Sequence, residues 1–212
     1  MKYRKMSSIP AKADPAKQSS FLNDTLNPLI EQAKNGVIEL LFCDAMHCVM
    51  SVFLSYLWSF QRIFIKSSPG RQRLNVVGAV NAITKKITCL FNDTYVNAET
   101  MKDFLIQLKA EYVLKPIYVV LDNARYQHCQ MVIDMAKELD IHLIFLPAYS
   151  PNLNIIERLW KFTKKECLNG KYFDNFKLFS DCIKNMLLNA NQLKQKELES
   201  LLTLKFQTFG DS

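Results

Sequence analysis

The chain alternates short apolar runs with segments in which apolar residues recur every three or four positions. The apolar runs predict strands over 37–44, 74–84, 85–93, 117–122 and 141–146. The helical spacing predicts helices over 20–34, 101–112 and 129–139, and a further helix from Leu153 onward. Because helices connect the later strands, these strands should pair in parallel. We therefore expect an α/β fold with a mixed five-stranded sheet flanked by helices.

The two ends of the chain differ from this central part. Residues 1–19 are polar and basic and contain two prolines, which favours an extended arm before the first helix. Aromatic and aliphatic residues between positions 50 and 65 indicate a strand or buried irregular structure. We predict a basic arm and helix over 1–35, one folded domain over 36–190 and a helical tail over 191–212.

Composition indicates the compartment. No apolar run approaches the roughly 20 residues that cross a bilayer, and the amino terminus lacks the apolar core of an export signal. The six cysteines form no Cys-x-x-Cys pair, so buried thiols are expected rather than disulfides. These features predict a cytoplasmic protein with no membrane partner.

Basic residues are concentrated in two segments of a chain whose net charge is +7. Residues 62–86 contain six basic residues and no acidic one, and residues 158–177 contain six basic residues and two acidic ones. Such segments form either a solvated surface or the binding face for a polyanion. Both segments lie next to candidate acidic site residues, which favours the second interpretation.

Three of the acidic residues stand at the ends of predicted elements. Asp44 ends the first apolar run, Asp122 ends the fourth, and Glu157 lies near the start of the last helix, with 34 residues between the second and third acids. Any one of them could be only a helix cap or a turn former. Together they would offer the oxygen ligands that Mg²⁺ prefers, and two such ions can promote in-line displacement at a phosphodiester.

The helix that contains Glu157 shows two faces in the sequence. Its apolar stripe consists of Ile156, Leu159, Trp160, Thr163 and Cys167. A neighbouring face, defined by spacings of four, seven and eight residues, holds Glu157, Lys161, Lys164 and Lys165. The pattern predicts that the carboxylate and the lysines face the same side.

A zinc site formed by Cys43, His47 and Cys48 is the competing metal hypothesis. It is disfavoured because residues 43 and 44 of a strand point to opposite faces and no fourth ligand is near in the sequence. The sequence also shows no Gly-rich phosphate loop and no nucleophile motif of the Ser-His-Asp type.

Three motifs together resemble the DDE catalytic domain of mariner-type transposases, in particular their bacterial insertion-sequence relatives. They are FCDAMH at 42–47, VVLDNARYQH at 119–128 and LPAYSPNLNIIERLW at 146–160, and the similarity extends over residues 36–190. The resemblance implies a ribonuclease-H-like fold, with Asp44, Asp122 and Glu157 as the metal-binding catalytic acids. It implies two Mg²⁺ ions, which Mn²⁺ can replace, and hydrolysis and strand transfer at transposon ends.

The resemblance also implies partners. DNA is the expected substrate, and phosphate contacts are predicted for Arg62, Arg71, Arg73, Arg125, Lys161, Lys164 and Lys165. A homodimer is expected. An upstream helix-turn-helix subunit or fused domain is also expected, because the 35 residues before the first predicted strand leave no room for a helix-turn-helix module. Ala45 stands where many members have a second acid.

Two alternatives stay open at this point. The chain could be a truncated remnant that binds DNA or assists assembly without catalysis, or a ribonuclease-H-like nuclease that acts on other substrates. The presence of all three acids disfavours the first alternative, and the third motif disfavours the second.

Overall fold

The computed structural model describes residues 10–54, 58–66 and 72–208 of the chain. Among these residues the strands are β1 (Glu39–Val49), β2 (Arg73–Asn81), β3 (Ile87–Asn92), β4 (Ile117–Leu121) and β5 (Ile141–Phe145). The helices are α1 (Pro15–Phe21), α2 (Asn27–Lys34), α3 (Ala98–Glu111), α4 (Gln130–Glu138), α5 (Ile156–Cys167), α6 (Phe176–Leu193) and α7 (Gln195–Leu201). None of these helices is long and apolar enough to cross a membrane.

The strands form one mixed sheet in the order β3-β2-β1-β4-β5, which confirms the predicted five-stranded sheet. β1 pairs antiparallel with β2 over residues 41–49, and β2 pairs antiparallel with β3. On its other side β1 pairs in parallel with β4, but only over residues 39–42, and β4 pairs in parallel with β5. The sheet is therefore antiparallel on one side of β1 and parallel on the other.

Two helical layers cover the faces of the sheet. Alternate residues of β1 point to opposite faces, so that Leu41 and Cys43 pack with α3 and α4 while Phe42 and Met46 pack with the other helices. α5 crosses β1 and β2 on this second face, and α6 packs beside α5 and against β3. The predicted apolar stripe of α5 is buried at every one of its positions. This burial fixes which face of α5 is left for other contacts.

The amino-terminal helix begins earlier than the sequence pattern predicts. α1 starts at Pro15, and the Asp14 carboxylate caps it by accepting a hydrogen bond from the Lys17 N–H at 3.1 Å. The prediction of an extended arm through residue 19 is therefore wrong for residues 15–19, because Asp14-Pro15 is itself a helix-start signal. A π turn, Leu22–Leu26, connects α1 to α2. Gly36 follows α2 in the left-handed conformation, at φ 73°, as the Asn35-Gly36 pair predicts.

The segment between β1 and β2 is irregular, and its described aromatic residues are not buried. Trp58, Phe60 and Phe64 are all exposed, and only Phe53 forms an isolated bridge, to Asn169, within the described part of this segment. The expectation of buried structure over 50–65 is wrong for these residues. The aromatic residues indicate an apolar segment. They do not show that β1 already pairs with β2 on one side and with β4 on the other, which leaves no place for a further strand beside it.

The carboxyl-terminal segment is bound to α5 and is helical over only part of its length. The tail predicted over 191–212 is helical through Leu201, whereas residues 203–208 are not helical. Leu202 is fully buried, and the Phe206 ring lies 6.1 Å from the Phe42 ring, measured between centroids. The guanidinium of Arg158 on α5 holds this segment, donating to the carbonyls of residues 201, 203 and 205 at 3.3, 2.7 and 2.8 Å.

We predict that Arg158→Lys lowers the free energy of unfolding by about 2 kcal/mol, because a lysine cannot reproduce the forked hydrogen bonds to several carbonyls. Chemical denaturation measures this change. Lys161→Met, on the exposed side of the same helix, is the control and should change stability by less than about 0.5 kcal/mol. Equal stability of Arg158→Lys and the wild type would contradict the assigned role.

Candidate active site

The first acid, Asp44, lies in the interior of β1 and not at the end of a strand. The prediction that the strand stops at residue 44 is wrong, because β2 supplies hydrogen-bonding partners along β1 as far as Val49. Asp44 nevertheless lies beside an opening in the sheet. β4 pairs with β1 only as far as Phe42 and ends at Leu121, so the parallel neighbour of β1 stops just before the level of Asp44.

The second acid, Asp122, follows β4 directly, as predicted. Its Oδ1 atom accepts a hydrogen bond from the Ala124 N–H at 3.1 Å, which closes a tight turn after the strand. The side-chain amide of Asn123 donates to the carbonyl of Leu146, the residue after β5. The loops that follow β4 and β5 are thereby tied together next to Asp122.

The third acid, Glu157, lies in the first turn of α5, and a 3₁₀ turn over Pro151–Leu153 precedes this helix. The start of the helix is fixed by Asn154, which is buried. Its Nδ2 donates to the Cys43 carbonyl at 3.1 Å, while its Oδ1 accepts from the Ile156 N–H at 3.4 Å. One side chain thus connects the helix that contains Glu157 to the strand position next to Asp44.

Residues near both ends of the described chain form hydrogen bonds with the loop between β5 and α5. Tyr149 in this loop has a left-handed backbone conformation, at φ 59°, which is uncommon for a bulky residue. The neighbouring Ser150 hydroxyl accepts from the buried Gln18 side chain of α1 at 3.0 Å. Asn152 donates to the Gln18 side chain at 3.1 Å and to the Gln207 carbonyl at 2.8 Å. No sequence pattern pointed to Gln18, because a single polar residue in a helix gives no signal of a distant partner.

The three acids line one cavity. The cavity has a volume of about 490 Å³, and its other walls are residues 123–124, the loop 146–151 and Asn154. None of the three carboxylates forms an ion pair with any other residue in the part of the chain that the structure describes. The structure thus brings the three acids together at one cavity, although Asp44 lies within its strand and not at its end.

The electrostatics of the cavity are unfavourable for three negative charges. The pKa of Asp44 is raised from its ordinary value of 3.8 to about 7, first by burial and then by repulsion from Glu157 and Asp122. Hydrogen bonds from the Ala45 N–H and the Trp160 indole oppose this rise. Burial and the negative charge of Asp122 also raise the pKa of the nearby Tyr126 hydroxyl. A cation bound among the carboxylates would remove this penalty.

The residues fit a divalent cation by their chemistry. Carboxylate oxygens are the ligands of Mg²⁺, which binds through one or two carboxylates and fills its other positions with water or phosphate oxygens. Within the described ranges, no group of three or more His, Cys, Asp or Glu side chains is arranged so that it could hold a metal ion. Water or phosphate oxygens would therefore have to complete the coordination of an ion bound here. The soft-ligand alternative is disfavoured further, because Cys43 and Cys48 pack on opposite faces of the sheet.

The predicted DNA contacts fall into two groups. Arg125 is exposed near Asp122, and Lys161 and Lys165 are exposed on α5, where Lys164 is partly buried. Arg125 lies beside the cavity, and the three lysines lie on α5, the helix that begins at the cavity. Burial raises the pKa of the Cys48 thiol at the far end of β1, and the charge of Lys164 opposes this rise. Lys164 therefore lies near Cys48. α5 therefore extends its basic face along β1.

The second group is further from the cavity. Arg73 pairs with Val49, five residues along β1 from Asp44 and so about 17 Å away. Its guanidinium lies 4.0 Å from the centroid of the Tyr95 ring and donates to the Thr94 carbonyl at 3.0 Å. Arg62 is exposed, with its guanidinium 5.2 Å from the centroid of the Phe64 ring. Arg71 lies outside the described residues, and its DNA contact stays a prediction.

Solved structures with a similar fold include several Mos1 transposase structures. The Mos1 Strand Transfer Complex matches 95% of this chain and 63% of its own chain at a TM-score of 0.64 and 17% identity. The Mos1 mariner paired end complex with Mn has the same score and identity, over 95% and 64% of the two chains. The catalytic domain of Mos1 mariner transposase matches over 92% and 93% at a TM-score of 0.58 and 16% identity. These matches confirm the predicted ribonuclease-H-like fold.

The matched share differs between the Mos1 chain of the strand transfer complex and the isolated Mos1 catalytic domain. This chain spans slightly less than two thirds of the Mos1 chain in the strand transfer complex, but nearly all of the isolated catalytic domain. A comparison with curated proteins gives no match. The sequence profile described as DDE superfamily endonuclease matches residues 39–180, a range that contains all three acids. The chain belongs to the DDE superfamily endonuclease family.

Proposed function

We propose that this chain is the catalytic domain of a transposase, which hydrolyses a phosphodiester at a transposon end and then joins the freed end to target DNA. The observation that supports it most strongly is the convergence of Asp44, Asp122 and Glu157 on one cavity beside the basic face of α5. The Mos1 structures with a left transposon end, with Mn and with Mg indicate DNA and divalent cations as partners of that relative. The same partners are proposed for this chain.

Each part of the site has a role in this proposal. Asp44, Asp122 and Glu157 would hold Mg²⁺ or Mn²⁺, two ions in all. When bound, such ions activate an attacking oxygen and stabilise the leaving oxygen of the phosphodiester. The basic face of α5 and Arg125 would hold the DNA backbone over the cavity by phosphate contacts, which position DNA without reading its sequence.

The reaction has two displacements at phosphorus. In the first, a water oxygen attacks the phosphodiester and the bond to the 3′ oxygen breaks, which leaves a 3′-hydroxyl. In the second, this 3′ oxygen attacks a phosphodiester of target DNA, and a new 3′-ester forms as a target ester bond breaks. The braced loop 146–151 keeps Glu157 and the loop after β4 at fixed positions during both steps.

Several finer points remain proposals. An origin in a bacterial insertion sequence, with a cytoplasmic, nucleoid-associated location, rests on the resemblance of the three motifs. A homodimer and an upstream helix-turn-helix subunit or fused domain are proposed on the same basis. The helix-turn-helix module would supply the recognition of transposon ends.

We predict that Asp122→Asn or Glu157→Gln reduces strand joining by at least about 100-fold, because each removes a metal ligand. The test uses a branched oligonucleotide in which a 3′-hydroxyl already lies beside the phosphodiester that it attacks, so that end recognition is not needed. Product is measured by gel electrophoresis with Mg²⁺ and with Mn²⁺. Asp134→Asn and Glu99→Gln, on exposed helix surfaces, should keep wild-type activity.

The same experiment separates an active enzyme from a remnant that only binds DNA. A remnant would bind the branched oligonucleotide but give no product in the wild type. Equal product from the wild type and Asp122→Asn would contradict the assignment of the acids.

We predict that Lys164→Ala combined with Lys165→Ala weakens duplex binding and lowers the slope of log K against log salt concentration by about 1 to 2, because two phosphate contacts are lost. Fluorescence anisotropy over a salt series measures both quantities. Lys109→Ala combined with Lys137→Ala, on the helices of the opposite sheet face, is the matched control and should leave the slope unchanged. An unchanged slope in the first variant would make these lysines an ordinary solvated surface.

We predict a pH-dependent effect of Asp44→Asn on stability. The pKa of Asp44 is raised to about 7, so the metal-free folded state binds this proton more tightly than the unfolded state, and stability is lost as pH rises towards 7. The stability gained by Asp44→Asn in EDTA should therefore increase by about 2 kcal/mol between pH 5 and pH 8.

Chemical denaturation at the two pH values measures this gain. Asp134→Asn, on the exposed surface of α4, is the matched control substitution. Added Mg²⁺ at pH 8 should stabilise the wild type and not Asp44→Asn. A pH-independent effect of Asp44→Asn would contradict the raised pKa of Asp44, which burial and then repulsion from Glu157 and Asp122 produce.

A further inference from the structure

One side chain of α5 binds the carboxylate of the first acid directly. The indole N–H of Trp160 donates to Oδ2 of Asp44 over 3.0 Å. Trp160 is 3% exposed and lies three residues after Glu157, which is about one helical turn. The helix that contains the third acid is thus bonded to the side chain of the first.

The space for this contact comes from Gly78. Gly78 lies directly opposite Asp44 in the antiparallel register of β1 and β2. A Cβ atom at position 78 would lie 2.5 Å from Cη2 and 3.1 Å from Cζ2 of Trp160. The indole ring therefore rests against the bare backbone of β2, and any side chain at this position would displace it.

The other contacts of Asp44 leave its orientation to Trp160. The Ala45 N–H also interacts with the Asp44 carboxylate. Ala45 belongs to the same strand as Asp44, so this contact does not connect the carboxylate to α5. Asn154 connects α5 to β1 through a backbone carbonyl, that of Cys43, and so fixes the helix without touching the carboxylate. Among the hydrogen bonds of the described residues, the one from the Trp160 indole connects α5 to the Asp44 carboxylate itself.

We propose that Trp160, in the space left by Gly78, is a positioning residue for the candidate cation site. It holds one oxygen of Asp44 so that the remaining lone pairs of the carboxylate face the cavity shared with Glu157. This inference rests on the proposed function, in which Asp44 and Glu157 bind the cation. Side chains that orient metal ligands in this way change metal affinity by about 10-fold to 100-fold when they are replaced.

Trp160→Phe tests the hydrogen bond, since it keeps an aromatic ring and removes the N–H. Gly78→Ala tests the same contact by a second route, since it keeps the N–H and displaces the ring. Binding of Mn²⁺ to the chain without DNA is measured by electron paramagnetic resonance of the free ion. Both variants should bind Mn²⁺ at least about 10-fold more weakly than the wild type. Circular dichroism and thermal unfolding show whether each variant is folded.

Two controls define the result. Trp58→Phe replaces the other tryptophan of the chain, which is exposed, and should bind Mn²⁺ like the wild type. Glu157→Gln removes a proposed ligand and should bind it far more weakly. In the strand-joining assay, Trp160→Phe should approach wild-type activity at saturating Mn²⁺, whereas Glu157→Gln should not. This recovery distinguishes a positioning residue from a general loss of structure.

The outcomes separate this inference from the function on which it rests. If the wild type binds no Mn²⁺ and Glu157→Gln changes nothing, the proposed cation site is wrong. If the wild type binds Mn²⁺, Glu157→Gln abolishes binding, and folded Trp160→Phe and Gly78→Ala bind like the wild type, the site stands and the role of Trp160 is wrong.

Discussion

The site depends on the unequal lengths of the two neighbours of β1. β2 follows β1 through residue 49, whereas β4 pairs only with residues 39–42. The central strand therefore extends past its parallel neighbour while it still pairs with its antiparallel neighbour. Asp44 lies in this extension, where β1 is paired on one side and open on the other, and Asp122 follows the end of β4. The start of α5 closes the third side and adds Glu157.

The three carboxylates lie close together where β1 extends past β4, and the repulsion between them opposes folding. The surrounding contacts compensate for this repulsion. The cavity raises the pKa of Asp44, so the metal-free state is stabilised elsewhere. Asn154 anchors α5 to β1, and Arg158 attaches the carboxyl-terminal segment to the same helix. The motif at 146–160 thus combines residues with different tasks: Glu157 faces the cavity, and its neighbours fix the helix in place.

The sequence predicted the parts of the structure that depend on local patterns. The stripe of α5 and the position of Asp122 after β4 follow from periodicity and from the end of an apolar run. The position of Asp44 could not be found in this way, because where β1 ends depends on its pairing with β2, which is remote in sequence. The hydrogen bond from Trp160 to Asp44 needs the room left by Gly78, and no local pattern reveals it.

The proposed function requires above all that Asp44, Asp122 and Glu157 bind a cation together. The most direct measurement is the anomalous scattering of Mn²⁺ in crystals of the wild-type chain soaked with that ion. Anomalous peaks are expected inside the cavity, within coordination distance of Asp44, Asp122 and Glu157, and they should be absent in Asp122→Asn. Peaks only at other surfaces of the protein, or an empty cavity at saturating Mn²⁺, would contradict the proposed cation site.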